Sequence, residues 1–357
     1  MSSPSPAQAS DRPASGATGV GVAFTPFETR TDVVLRLAAR AEALGLDRVD
    51  VAEGWTDDAF VLLAQLAART SRIGLGASVV SVWGRTPATI AMAAAGLQRA
   101  SGGRFALGIG AGSPPLAEGL HGQAWAAPAR RLRDTLTAVS ALLAGDRLPA
   151  PAAGARPLRL GAVPETAVPI GLAALAPGSI RLAGELADVW TPFLWSRSRL
   201  GQGRALLEEG AARAQTPTPT RTAVAVPVAL GADAPAARRL AAWWLATYTT
   251  RMGPLYPRLL ATRFGMAGAV EAVVAGAADR RPDLPAAAEA LADEVTLMAT
   301  HAGARAAVDG WFAAGADSVH LVLPPGLREI ELTELLEVIG AVASARARAL
   351  QRAPQAA

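Results

Sequence analysis

The chain has 357 residues, 51% of them apolar, and a net charge of +4. No apolar run approaches the roughly 18 residues that a membrane span needs, and the arginines are scattered rather than clustered, so neither membrane nor nucleic acid is expected as a partner. Cysteine, lysine and asparagine are all absent, which excludes disulfides, thiolate metal sites and lysine Schiff bases.

Residues 1–18 are rich in Ser, Pro and Ala with no basic start or apolar stretch, and read as a disordered tail of a cytoplasmic protein rather than a signal peptide. Gly19 to Phe24 reads as a first strand and Thr31 to Leu44 as an amphipathic helix closed by Gly45. Arg48 to Ala52, Ile73 to Val80 and Arg104 to Gly110 follow as strands. Helices over Asp58 to Thr70 and from Thr86-Pro87 to about Ser101 separate them, the second with a Thr cap and Pro at the first helical position. A helix over Arg130 to Leu143 and a Pro/Ala loop over Leu148 to Pro157 come next. Val168 to Leu175 is the fifth strand, Gly178 to Leu186 a helix, Asp188 to Pro192 the sixth strand and Thr222 to Leu230 the seventh. A helical insertion from Ala234 to Ala299 precedes a helix over Ala304 to Ala314. Ser318 to Leu323 is the eighth strand, and Arg328 to Leu350 closes the fold, leaving 351–357 as a tail. Eight apolar strands alternating with helices predict an α/β fold over residues 19–350, a single (β/α)8 TIM barrel with a helical insertion between strands seven and eight. A doubly wound open sheet is the alternative.

In a barrel the working residues lie beyond the C-terminal strand ends. Glu53 is the only carboxylate standing immediately after a strand, and His121, in the loop after strand four, is the only histidine placed to reach the mouth. Both are candidate catalytic residues, with an arginine partner at the rim as the bland role of Glu53 and a plain loop residue as that of His121. His320 lies inside an apolar strand and reads as a satisfied core histidine. A mouth poor in catalytic side chains but carrying Gly and aromatics suggests chemistry borrowed from a cofactor. Gly108, Gly110 and Gly112 do not fit a dinucleotide-binding fingerprint, but bare glycines let a flat ring lie against backbone. Pro177-Gly178-Ser179 opens a helix whose amides favour a phosphate; an ordinary turn with a capping Ser is the plain reading.

At these residues the sequence resembles the bacterial luciferase-like family of flavin-dependent oxidoreductases. The carriers are Ala41-Glu42-Ala43-Leu44-Gly45-Leu46-Asp47, Arg85-Thr86-Pro87, Ser101-Gly102-Gly103-Arg104-Phe105, Leu107 to Gly112, Arg181 to Glu185 and Ala314 to Asp317. The resemblance implies a cofactor laid across the barrel mouth. Its ring would rest near Ser78, Val80 and Ser81, where relatives carry a non-prolyl cis peptide, and against Gly110, Ala111 and Gly112. Its phosphate would meet Gly178 and Ser179, with Glu53, Gly54 and Trp55 facing the ring or substrate. The cofactor implied is F420 or FMN in reduced form, with F420 favoured because the Gly-Ile-Gly-Ala-Gly stretch resembles F420-using members. The expected partners are a small-molecule substrate, a separate flavin or F420 reductase and further copies of the chain. A non-catalytic flavin-binding barrel, and a cofactor-free hydrolase or isomerase using Glu53, are the competing readings.

Overall fold

The computed structural model describes residues 19–149, 154–214, 219–278 and 283–352. The predicted N-terminal tail and most of the C-terminal one lie outside them, as does part of the loop over 148–157. Eight parallel strands close into a barrel: β1 (Val20–Phe24), β2 (Arg48–Val51), β3 (Gly74–Ser81), β4 (Phe105–Gly110), β5 (Ile170–Leu172), β6 (Val189–Trp190), the lower part of β7 (Arg221–Gly231) and β9 (Ser318–Val322), which returns to β1. Around it run α1 (Thr31–Ala43), α2 (Ala59–Arg69), α3 (Pro87–Ala100), α4 (Pro128–Leu143), α5 (Pro177–Leu186), α6 (Leu200–Ala211), α7 (Ala234–Thr250), α11 (Ala304–Ala313) and α12 (Glu329–Arg352). No described helix is long and apolar enough to cross a membrane.

Local chemistry sets the helix starts. The Asp58 side chain accepts the amides of Phe60 and Val61 ahead of α2, and Thr86 accepts that of Thr89 ahead of Pro87, each satisfying an otherwise orphaned first-turn donor. Strands β5 and β6 are shorter than predicted. Pro169 and Pro192 flank them, and a residue without N–H cannot extend a ladder. Helix α6 has no counterpart in the sequence reading because Gly201, Gly203 and Gly210 depress its propensity. Packing explains those glycines: a Cβ on Gly210 would lie 1.9 Å from the Arg181 carbonyl oxygen, and one on Gly184 2.0 Å from that of Leu207. The two helices touch backbone to backbone.

The insertion is not purely helical. It holds α7, α8 (Leu255–Arg258), α9 (Ala267–Ala278), α10 (Glu289–Val295) and a ninth strand in the sheet, β8 (Leu297–Thr300). Strand β7 is long enough to serve two partners, pairing with β9 over Ala223–Pro227 and with β8 over Val228–Gly231. The barrel's closing strand is therefore β9, and β8 extends the wall above it. The closing helix α12 also runs to Arg352, two residues past its predicted end.

Alternation divides each strand. Val20, Val22, Val49, Leu75, Leu107, Ile109, Val224, Val319 and Leu321 are buried in the core. The residues between them face a cavity of about 280 Å³ that occupies the lower lumen. Instead of the usual layers of branched side chains, that lumen holds small residues and one charged network. Arg48 Nε donates to Asp50 Oδ1 at 2.7 Å and its Nη2 to the Leu75 carbonyl at 2.9 Å. His320 Nδ1 lies 2.5 Å from Asp50 Oδ2, and Nε2 meets Ser318 Oγ at 3.2 Å. His320 is thus a partnered interior histidine. Burial opposes the Asp50 charge, but His320 and Arg48 outweigh it and hold the carboxyl down at about 2.

Two outcomes follow for stability. Gly210→Ala should destabilise the fold by about 1–3 kcal/mol through overpacking, read as a lower urea midpoint. Asp50 has a folded pKa below its ordinary 3.8, so its contribution is complete above that value and is lost as pH falls toward 2. Urea midpoints followed down through this window should lose about 2 kcal/mol, and Asp50→Asn should flatten that part of the profile.

Candidate functional site

The C-terminal end of β3 is bulged. The Ser78–Val79 peptide is cis, within the segment where the resemblance implies one, and the pairing with β4 shifts register between Ala77 and Val80. A Cβ on Gly108 would lie 2.2 Å from the Ala77 carbonyl oxygen, and one on Gly110 2.4 Å from Val79 Cγ2. Gly110 is therefore small because β3 crosses it, which corrects the expectation that it is bare for a ring. Gly112 has φ +68° and nothing closer than 3.8 Å to an added Cβ, so its backbone turn is what needs glycine. Ala111 uses its carbonyl to accept Trp83 Nε1 at 2.7 Å.

Within the bulge, the Val80 side chain is fully buried and Ser81 nearly so, its hydroxyl accepting the Trp83 amide. Val80 can offer a ligand only backbone. The half-exposed residues are Ser78, which also lines the lumen, and Val79. Val79 escaped the sequence reading, since nothing in an apolar strand marks which residue a bulge turns outward.

Glu53 is fully engaged. Arg85 binds it with two parallel hydrogen bonds of 2.7 Å, Ser81 N donates to Oε2 at 3.2 Å and Ala59 N to Oε1 at 3.4 Å. The Glu53 amide in turn donates to the Val79 carbonyl at 3.2 Å. Arg85 also pairs with Asp58. Burial works against the Arg85 charge, but Glu53 and Asp58 more than offset it and raise its pKa. Four donors converge on the Glu53 carboxylate, which ties the bulge to Arg85, the arginine partner that is its plain role. His121 packs against Gly84, whose added Cβ would meet its ring at 2.8 Å.

At the start of α5, Gly178 is exposed with open space around it, and Ser179 Oγ donates to the Ala176 carbonyl at 3.0 Å, within its own turn. A cation comes from a distant segment. Arg263, at the end of a π-helical turn (Leu259–Arg263), donates to the Leu175 carbonyl and stacks 4.6 Å over Trp195. Burial lowers its pKa without an acid to oppose it. The start of α5 and the Arg263 guanidinium thus lie at one corner of the mouth. Arg263 lies in the insertion, where periodicity carries no sign of which residue returns to the mouth.

If Glu53 and Arg85 act as one clamp, Glu53→Gln and Arg85→Gln should each cost about 1–3 kcal/mol, and the double variant little more than either. Urea unfolding of the four-member cycle checks this; additive losses would show that the two side chains act independently.

Residues 9–318 match the family model described as luciferase-like monooxygenase. A Mycobacterium tuberculosis protein named as a coenzyme F420-dependent oxidoreductase is 36% identical over 192 residues, covering 50% of this chain and 55% of its own. The 5,10-methylenetetrahydromethanopterin reductase of Methanolobus tindarius is 30% identical over 176 residues, covering 47% and 52%. The chain thus spans about half the length of the curated relatives it matches. In fold it is similar to the F420-dependent tetrahydromethanopterin reductase of Methanopyrus kandleri (TM-score 0.72, 18% identity, 90% and 96% covered) and to an FMN-bound Baeyer-Villiger monooxygenase of Pseudomonas putida (0.68, 20%, 92% and 98%). With a closed parallel barrel, a bulged β3 end and a family match over most of its length, the chain belongs to the luciferase-like monooxygenase family.

Proposed function

We propose that the protein, with residues 19–350 as one catalytic domain, binds reduced F420 across the β3–β5 half of its mouth and reduces a small organic substrate. The observation that carries this reading is that the carboxylates following β1 and β2 are engaged: Glu28 is held by Arg30, Glu53 and Asp58 by Arg85, and Asp57 accepts the Thr31 hydroxyl. Reactivity there has to come from a bound group. F420 is favoured over FMN because the relatives of 30–36% identity include three named for F420 or methanopterin chemistry, whereas the FMN protein is alike in fold alone.

The residues present suit such a group. Gly178 and Ser179 amides with Arg263 can neutralise a phosphate, and Val79 with the Ser78 backbone can floor a flat ring. Bound in reduced form, F420 supplies a hydride. Glu53 and Arg85 would keep the floor in place by holding Ser81 N–H, and Trp83, packed 5.2 Å from Trp125, would screen that side from water.

Titration of the apo-protein with F420 and with FMN, followed by fluorescence, tests this. F420 should bind at least about tenfold tighter, and the reverse order would make the protein an FMN enzyme. Ser179→Asp and Arg263→Gln should each weaken F420 by about tenfold, or about 1.4 kcal/mol, with unchanged urea midpoints. Full affinity in both folded variants would remove the phosphate corner.

A further inference from the structure

The mouth's other half, away from β3–β5, is walled by aromatic rings. Phe27 follows β1 and Trp55 follows β2, with centroids 5.2 Å apart in edge-to-face contact. Phe27 reaches Trp243 on α7 at 6.2 Å, and Trp243 meets Trp244 at 4.9 Å. Phe193, after β6, lies 4.8 Å from Tyr248 on α7, which packs 5.0 Å from Tyr256 on α8. The rings therefore run from the end of β2 round to that of β6, facing the proposed cofactor bed.

Three features separate this wall from ordinary core. Trp55 and Trp243 stay 46% and 38% exposed although they flank the same phenylalanine, and exposed tryptophans side by side mark a recognition surface. Tyr248 is only 6% exposed, yet neither its hydroxyl nor that of Tyr256 has a hydrogen-bond partner among the described residues. Two hydroxyl donors without a protein partner, set amid apolar rings, suit an incoming oxygen. Burial raises both tyrosine pKa values, keeping the hydroxyls protonated as donors. Finally, among the described residues no guanidinium stacks on these rings, and Glu28, next to Phe27, is held in its ion pair with Arg30.

We propose that this wall is the substrate subsite and that it takes an uncharged, compact apolar ketone or the corresponding alcohol, whose oxygen accepts hydrogen bonds from Tyr248 and Tyr256. The rings contribute contact area and exclude water, and an anionic substrate would lose its hydration with no cation to replace it. The inference rests on the proposed function only for the cofactor's place opposite the wall.

The test is calorimetric titration of the apo-protein with 1-indanone and with its 5-carboxylate. Indanone should bind at least about tenfold tighter than the carboxylate. The Tyr248→Phe/Tyr256→Phe double variant, which keeps the rings, should weaken indanone by about tenfold, and Trp243→Ala by a similar factor. F420 affinity should stay unchanged in both. Equal or tighter binding of the carboxylate, or full indanone affinity in the tyrosine variant, overturns the proposal. So does a Trp243→Ala or Trp55→Ala variant that changes oligomeric mass in light scattering but not indanone affinity, because the wall would then be a subunit interface. Indanone binding with no F420 binding would sink the cofactor reading and leave this one standing.

Discussion

Where β3 leaves the barrel it passes so close to β4 that a single added carbon on Gly110 would meet Val79 at 2.4 Å. Everything at the mouth is arranged around that crossing. Two residues without side chains make room for the bulge, Gly108 for the Ala77 carbonyl and Gly110 for the Val79 side chain, and the pairing shifts register between Ala77 and Val80. The bulge would be free to relax were it not tied from the next strand. Glu53 accepts from Ser81 N, donates its own amide to the Val79 carbonyl and is itself oriented by the two-pronged hold of Arg85. A planar guanidinium matches a carboxylate in a way an ammonium cannot, so the clamp fixes direction as well as distance.

The same economy governs the opposite end of the barrel. All 34 basic residues are arginines, and several serve as multi-donor anchors rather than as free charge. Arg104 has no carboxylate hydrogen bond and instead donates to the carbonyls of Ala67, Thr70, Ile73 and Ser101. Glu42 does the converse, accepting the amides of Ser71, Arg72 and Ile73; these outweigh the cost of burial and hold its pKa at about 2. Each satisfies loop backbone groups that would otherwise face a poorly solvated rim. Charge in this protein is mostly structural, and the lumen's Arg48–Asp50–His320 network is its most buried case.

The mouth itself is divided by chemistry. On the β3–β5 side lie backbone, small side chains, the start of α5 and the Arg263 guanidinium. On the β6–β2 side lie rings, most of them brought by α7 and α8. The insertion contributes to both, Arg263 to one and the aromatic wall to the other. Strand β7 makes this reach geometrically sound, because its upper part pairs with β8 and carries the insertion above the barrel rim.

Much of the framework was written locally and could be read without the fold. The apolar strands, the Thr86 cap and the order of strands and helices depend on neighbours within a few residues, and they led to the barrel. The fragments that carried the family resemblance proved to be framework too. Glu42 and Arg104 bind loops at the N-terminal end, and Arg85 holds the clamp. What sequence could not decide was whatever depends on atoms distant along the chain. Gly110 looked like room for a ring and is room for Val79; Glu53 could be read as a base or as a rim partner for an arginine, and only the fold shows which arginine, Arg85, and that Ser81 and Ala59 join it. Helix α6, strand β8 and the return of Arg263 to the mouth were likewise hidden. Glycine-poor propensity and apolar periodicity report on a segment's own backbone, whereas these features exist only because another segment packs against them.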